Sequence, residues 1–252
     1  TKALNRTLEI SGSTRVDTPS GTVQIQDSGR LSVLDTGQLE IVGGSSISHL
    51  GSGRLDNAGL MRKTGTAGLT LAMPLTNIGT LRIESGTLTA SAFPVNAGTL
   101  DVFDSAALIT ANNSLQNNGV IQGGGAINLG AGTLTNAGAL RPGNGAAAGT
   151  LAITGNLIQT AAGLIEADVL GTTAAQQDHV TVTGSATLDG DLVLSPSQSL
   201  TFGAQDRYTV LSCGAEGCLS GSFSSIETGG LAATATFFSN ALSFATGKIA
   251  ST

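Results

Sequence analysis

The chain has 252 residues, with 36 Gly, 3% aromatic residues and no Trp; 40% is hydrophobic and only 11% charged, which excludes both disorder and a core built around large rings. The formal net charge is −6, and the basic residues gather into no stripe that could neutralise phosphates, so nucleic acid is excluded as a partner. Apolar runs break at Gly, Ser or Thr well short of the roughly 20 residues of a membrane-spanning helix, and no transmembrane segment is expected.

Thr1 to Ile10 lack the charged start and apolar centre of a signal peptide, so an export signal was removed or lies outside this stretch. The first fifty residues carry a repeating Gly-x-Leu step, in Gly29-Arg-Leu-Ser-Val33, Gly37-Gln-Leu-Glu-Ile41 and Gly53-Arg-Leu55. A tighter repeat follows. Leu55-Asp-Asn-Ala-Gly-Leu-Met61 recurs as Leu75 to Leu81, Pro94 to Leu100, Leu115 to Ile121 and Leu134 to Leu140. Its Asn residues are Asn57, Asn77, Asn96, Asn117 and Asn136, in steps of 20, 19, 21 and 19, each followed two places later by Gly59, Gly79, Gly98, Gly119 or Gly138.

A fixed period near twenty marks a solenoid, whose units bury an apolar face only by stacking on their neighbours. The Gly is expected to supply a φ > 0 turn, and the apolar residue four places after each Asn opens a strand. That residue is Met61, Leu81, Leu100, Ile121 or Leu140; the position two before the Asn is Leu55, Leu75, Pro94, Leu115 or Leu134. Short alternations such as Leu81-Arg-Ile83 have the period of two of a strand with one face buried. No amphipathic helical stretch appears, which disfavours a leucine-rich repeat. Two readings of the Asn residues stay open, an inward coil-to-coil ladder and outward turn residues available to a ligand; identical spacing favours the ladder.

The expected fold is all-β: a right-handed parallel β-helix with coils of about twenty residues and a carboxy-terminal β cap. About twelve coils at the ~4.8 Å strand spacing would make a rod on the order of 60 Å long. Residues 1–148 form the stalk with the Asn-x-Gly coils. Residues 149–252, with longer strands such as Leu164 to Leu170 and an ending in Ala241-Leu-Ser-Phe244, form a β-helical or sandwich-like cap. The pair in Cys213-Gly-Ala-Glu-Gly-Cys218 reads as a local disulfide, which would persist only in an oxidising compartment.

From Gly149 to Leu157, Gln159 to Leu170, Asp178 to Gly184, Leu188 to Leu192, Tyr208 to Leu211 and Leu219 to Phe223, the order of features resembles the carboxy-terminal part of bacterial autotransporter passenger domains and related filamentous haemagglutinin-like exoproteins. The Asn-x-Gly coils resemble the stalks of the same families. The resemblance implies an exported, surface-displayed β-helix whose last third nucleates folding, and it specifies an architecture more than an activity.

Catalytic signals are weak. Asp101 with Asp104, and Asp189 with Asp191, are the carboxylate pairs a glycosidase could use, but neither has a basic residue beside it in sequence. Asp178-His179 lacks a Gly-x-Ser-x-Gly nucleophile elbow. Gly123 to Gly130 is similar to a calcium-binding nonapeptide repeat but lacks its Asp, and His49 and His179 are too isolated for zinc. No catalytic residue, cofactor or metal site is expected. The expected function is a non-enzymatic adhesive or structural module, extracellular or on the bacterial outer surface, contacting a host, neighbouring-cell or matrix surface (protein or glycan). Self-association end to end into a filament and a polysaccharide-active enzyme are the alternatives.

Overall fold

A strand of three to five residues with one apolar face is marginal alone; it is stabilised when its equivalents one coil away pair with it and close that face inward. This arrangement is seen in a computed structural model, which describes residues 2–4, 6–17, 21–44, 46–143, 147–198, 200, 203 and 206–245. The chain is an all-β solenoid, and the one short helical element among the described residues is the 3₁₀ turn Ala174–Gln176. No helix among them is long and apolar enough to cross a membrane.

Each central coil contributes one strand to each of three parallel sheets. In one coil these strands are Leu69–Ala72 in the first sheet, Leu75–Asn77 in the second and Thr80–Ile83 in the third. The long strands Ala126–Asn136 and Thr150–Gln159 run through both the first and second sheets, turning between them at Gly130 (φ 57) and Gly155 (φ 120).

The third sheet has ten strands. Its register places Ser13, Gln38, Leu60, Thr80, Thr99, Val120, Ala139, Leu164, Asp191 and Ser225 in one column, in steps of 25, 22, 20, 19, 21, 19, 25, 27 and 34 residues. The twenty-residue coil therefore holds where the Asn repeat lies and widens at both ends. Among the described residues this sheet has ten rungs, rather than about twelve, because of those longer coils. Strand pairing continues across residues 148 and 149, where Thr150–Gln159 pairs with Ala126–Asn136 before it and with strands at 179 and 186 after it.

The core consists of aliphatic columns. Leu39, Met61, Leu81, Leu100, Ile121, Leu140, Ile165 and Leu192 stack in the third sheet, each 1% exposed or less. Such burial contributes on the order of 2 kcal/mol per side chain. Leu55, Leu75, Leu115 and Leu134 are buried in the second sheet, whereas Pro94, expected in the same column, is exposed and its neighbour Phe93 is buried instead. Proline has no N–H for a ladder, and the strand there shortens to Val95–Asn96.

At the carboxy-terminal end the first sheet changes direction. Arg207–Cys213 pairs antiparallel with Ala241–Ala245, which pairs antiparallel with Thr234–Phe237. The buried rings of Tyr208 and Phe244 pack 6.2 Å apart across this cap.

Candidate functional site

The five repeat Asn residues stand in one column of the second sheet, in direct register, and each is 1% exposed or less. Each side-chain amide donates to the carbonyl oxygen of the next: Asn57 to Asn77 at 2.7 Å, Asn77 to Asn96 at 2.8 Å, Asn96 to Asn117 at 2.8 Å and Asn117 to Asn136 at 2.7 Å. The second amide proton goes to backbone carbonyls at the following turn, as from Asn77 to Thr99 and from Asn96 to Val120, both 3.1 Å. These bonds leave no free amide face between coils.

A sixth rung completes the column. Asn136 donates to Gln159 Oε1 at 2.8 Å, and the longer side chain serves where the coil has lengthened. The repeat search does not find Gln159, because both residue type and spacing change there. Its only signal is an amide residue at an alternating interior position. The ladder is polar head to tail, and the buried atoms left without a partner include its two ends, Asn57 Oδ1 and Gln159 Nε2. Below Asn57 the column continues as Val33 and Ile10, which offer no donor.

The Gly column has a different cause from the one the sequence suggests. Gly59, Gly79, Gly98, Gly119 and Gly138 do not adopt positive φ. A Cβ on Gly79, Gly98, Gly119 or Gly138 would lie 2.0 to 2.3 Å from the carbonyl oxygen of the repeat glycine one coil before, and one on Gly59 would lie 2.1 Å from the Leu34 oxygen. Close approach of stacked backbones, rather than a left-handed turn, requires these glycines.

Lys63 is the least expected interior residue. It stands between Ile41 and Ile83 in an apolar column of the third sheet and is 0% exposed. Its ammonium donates to the carbonyls of Gly65, Ala67 (2.7 Å) and Ser85, tying one turn to the next coil. All three donors are used, and burial lowers the pKa. Lys63→Met fills the space but leaves three carbonyls without that donor, so unfolding in urea should show a loss of about 3 kcal/mol. A loss below about 1 kcal/mol would show the three bonds to be dispensable.

Cys213 and Cys218 form a disulfide with a Cα–Cα distance of 6.0 Å, at the start of the last coil. Asp178, 1% exposed, accepts the Gly149 N–H at 2.8 Å and the Asp168 N–H at 2.9 Å, while its carbonyl accepts the Tyr208 hydroxyl at 2.8 Å. Burial raises its pKa to about 7. His179 meets Ser212 Oγ at 2.9 Å through Nε2, but the Asp178 carboxylate faces the backbone donors, so the three do not form a catalytic relay.

The raised pKa of Asp178 has a sign that can be tested. Between pH ~4 and ~7 the folded chain holds a proton there that the unfolded chain has lost, so this group's contribution to stability falls as pH rises through that window. His179, whose pKa burial lowers, acts in the opposite direction below pH ~6.5. The informative quantity is the difference between wild type and Asp178→Asn in melting temperature from pH 5 to 8. Wild type should lose ground relative to the variant as pH rises, and parallel curves would show that Asp178 does not titrate there.

Of the candidate carboxylates, Asp101 pairs with Arg82 at 3.1 Å and is 3% exposed. Asp189 accepts the Gly190 N–H at 2.7 Å and the Ser224 hydroxyl at 2.9 Å. Asp101 and Asp104 line one cleft with Glu84, Phe103 and Gly124, about 150 Å³ in volume. Among the described residues no group of three His, Cys, Asp or Glu side chains is placed to hold a metal ion.

The third sheet carries a charged outward column, and a shorter group on the second sheet pairs Arg30 and Arg54 with Asp56. Arg15, Glu40, Arg62, Arg82, Asp101 and Gln122 stand in one outward column of the third sheet. Ion pairs along this face include Arg15–Glu40 at 3.7 Å, Arg62–Glu84 at 2.7 Å, Arg82–Asp101 at 3.1 Å and Arg141–Glu166. No family model matches this chain, and no curated protein matches it.

Proposed function

We propose that this chain is a non-enzymatic rod, secreted or displayed on a bacterial outer surface, that makes adhesive contacts with a host, neighbouring-cell or matrix surface through its lateral faces. One observation carries this reading: the Asn column from Asn57 to Asn136 spends its amide donors on coil-to-coil bonding, which holds the coils in a stack with long, regular sheet faces outward. The disulfide supports an oxidising compartment. The resemblance to autotransporter passengers and haemagglutinin-like exoproteins agrees with this reading.

A polysaccharide-active enzyme is the second reading, favoured by the cleft that Glu84, Asp101 and Asp104 line together. Labelled protein should bind saturably to bacterial cells, epithelial cells or immobilised collagen, fibronectin or laminin, and release no reducing ends from neutral or acidic polysaccharides. Release of reducing ends that disappears in Asp101→Asn would overturn the first reading in favour of the second.

A further inference from the structure

The first sheet presents a face unlike that of the third. Its strands Thr22–Ile25, Ser46–His49, Leu69–Ala72, Gly86–Ala90, Ala106–Ile109 and His179–Val182 contain no Asp, Glu, Lys or Arg. Neither do the long strands Ala126–Asn136 and Thr150–Gln159 between them. The absence extends over eight successive rungs. The outward column runs Ser46, Thr70, Thr89, Ile109, Asn128 and Thr154, by register. Beside it stand Thr87, Ala107, Ala126, Ala152 and Thr181. All of them are small or medium in size, and none is fully buried.

We infer that this charge-free face is an interface with a second copy of the chain, the two rods packing side by side, sheet on sheet. Protein interfaces lose charge at their centre, and on this face two molecules of net charge −6 meet without an Asp, Glu, Lys or Arg side chain on the facing strands. It carries no aromatic anchor for an unrelated protein's pocket. Small side chains on a regular parallel sheet instead suit interdigitation with another sheet about 10 Å away. A second copy supplies the same rung spacing, and a two-fold axis lets the face meet itself.

Eight rungs at ~4.8 Å and strands about 15 Å wide give about 600 Å² per copy, or roughly 1,200 Å² in all. That is the lower limit of specific interfaces, so the dimer should be dissociable and concentration-dependent. This inference rests on the solenoid's register and not on the adhesive reading. A dimer that binds no surface would leave it intact, and a monomer that binds one would defeat it alone.

Sedimentation velocity of the oxidised protein from about 1 to 200 µM tests it. Wild type should shift from monomer to dimer across the series. Thr89→Lys places charge at the centre of the face and should weaken association at least tenfold, whereas Gln122→Lys on the charged third sheet should not. Thr154→Lys serves as the second variant should Thr89→Lys fail to show the wild-type circular dichroism spectrum. A monomer throughout, or a dimer lost in Gln122→Lys and kept in the face variants, would overturn the inference.

Discussion

Gly98→Ala should destabilise the protein by roughly 3 to 4 kcal/mol, among the largest effects of adding one methyl group to this chain. Its Cβ would lie 2.1 Å from the Gly79 carbonyl oxygen and 2.6 Å from the Ile78 carbonyl carbon, both backbone atoms that no rotamer change can move. Relief requires separating two coils, and the adjacent Asn77–Asn96 and Asn96–Asn117 bonds would lengthen with them. Gly12→Ala is the matched control, since nothing lies within 4 Å of its Cβ and its φ is not positive. It should leave stability unchanged or slightly raised. Urea denaturation of both variants checks the pair; equal midpoints would contradict the close-approach explanation.

Asn96→Asp should be at least as damaging at neutral pH, about 4 kcal/mol, and should be partly relieved on acidification. The carboxylate still accepts from Asn77, but the atom that donated to Asn117 Oδ1, Gly98 O and Val120 O becomes a fourth acceptor facing three others. Asn96→Ala removes the atoms without adding charge and should cost less, about 3 kcal/mol, at any pH between 5 and 8. The ordering, and the pH dependence of the Asp variant alone, would be read from thermal melting. A destabilisation equal in both variants and independent of pH would mean that volume, not hydrogen-bond polarity, sets the requirement at this rung.

Several features of the fold were legible because stacking repeats side chains at one spacing. The Asn column and the apolar column of Met61, Leu81, Leu100, Ile121 and Leu140 both show in the sequence, since a rung built from one residue type is satisfied by the same type above and below it. The Gly column was visible too, but its cause was not. A local turn is a property of neighbours along the chain, whereas contact with Gly79 O at Gly98 is a property of coils 19 residues apart.

Other features were hidden by departures from the repeat. Gln159 follows a 23-residue step and differs in type, so it leaves no mark in the Asn spacing. Lys63 occupies an interior position that pattern reading assigns to an aliphatic residue, and only the three carbonyls around its ammonium explain it. Alignment of charge into one column of the third sheet needs the register itself, because Arg82, Asp101 and Arg141 are scattered in sequence and aligned only when coiled.

The most direct test of the account is exchange of the Asn side-chain amide protons, followed by nuclear magnetic resonance after transfer of the folded protein into deuterated buffer. The ladder predicts slow exchange for Asn57, Asn77, Asn96, Asn117 and Asn136, at rates approaching those of core backbone amides, and fast exchange for exposed Asn118. Exchange of the five as fast as that of Asn118 would contradict a buried amide ladder, and with it the coil-to-coil stacking on which the rod depends.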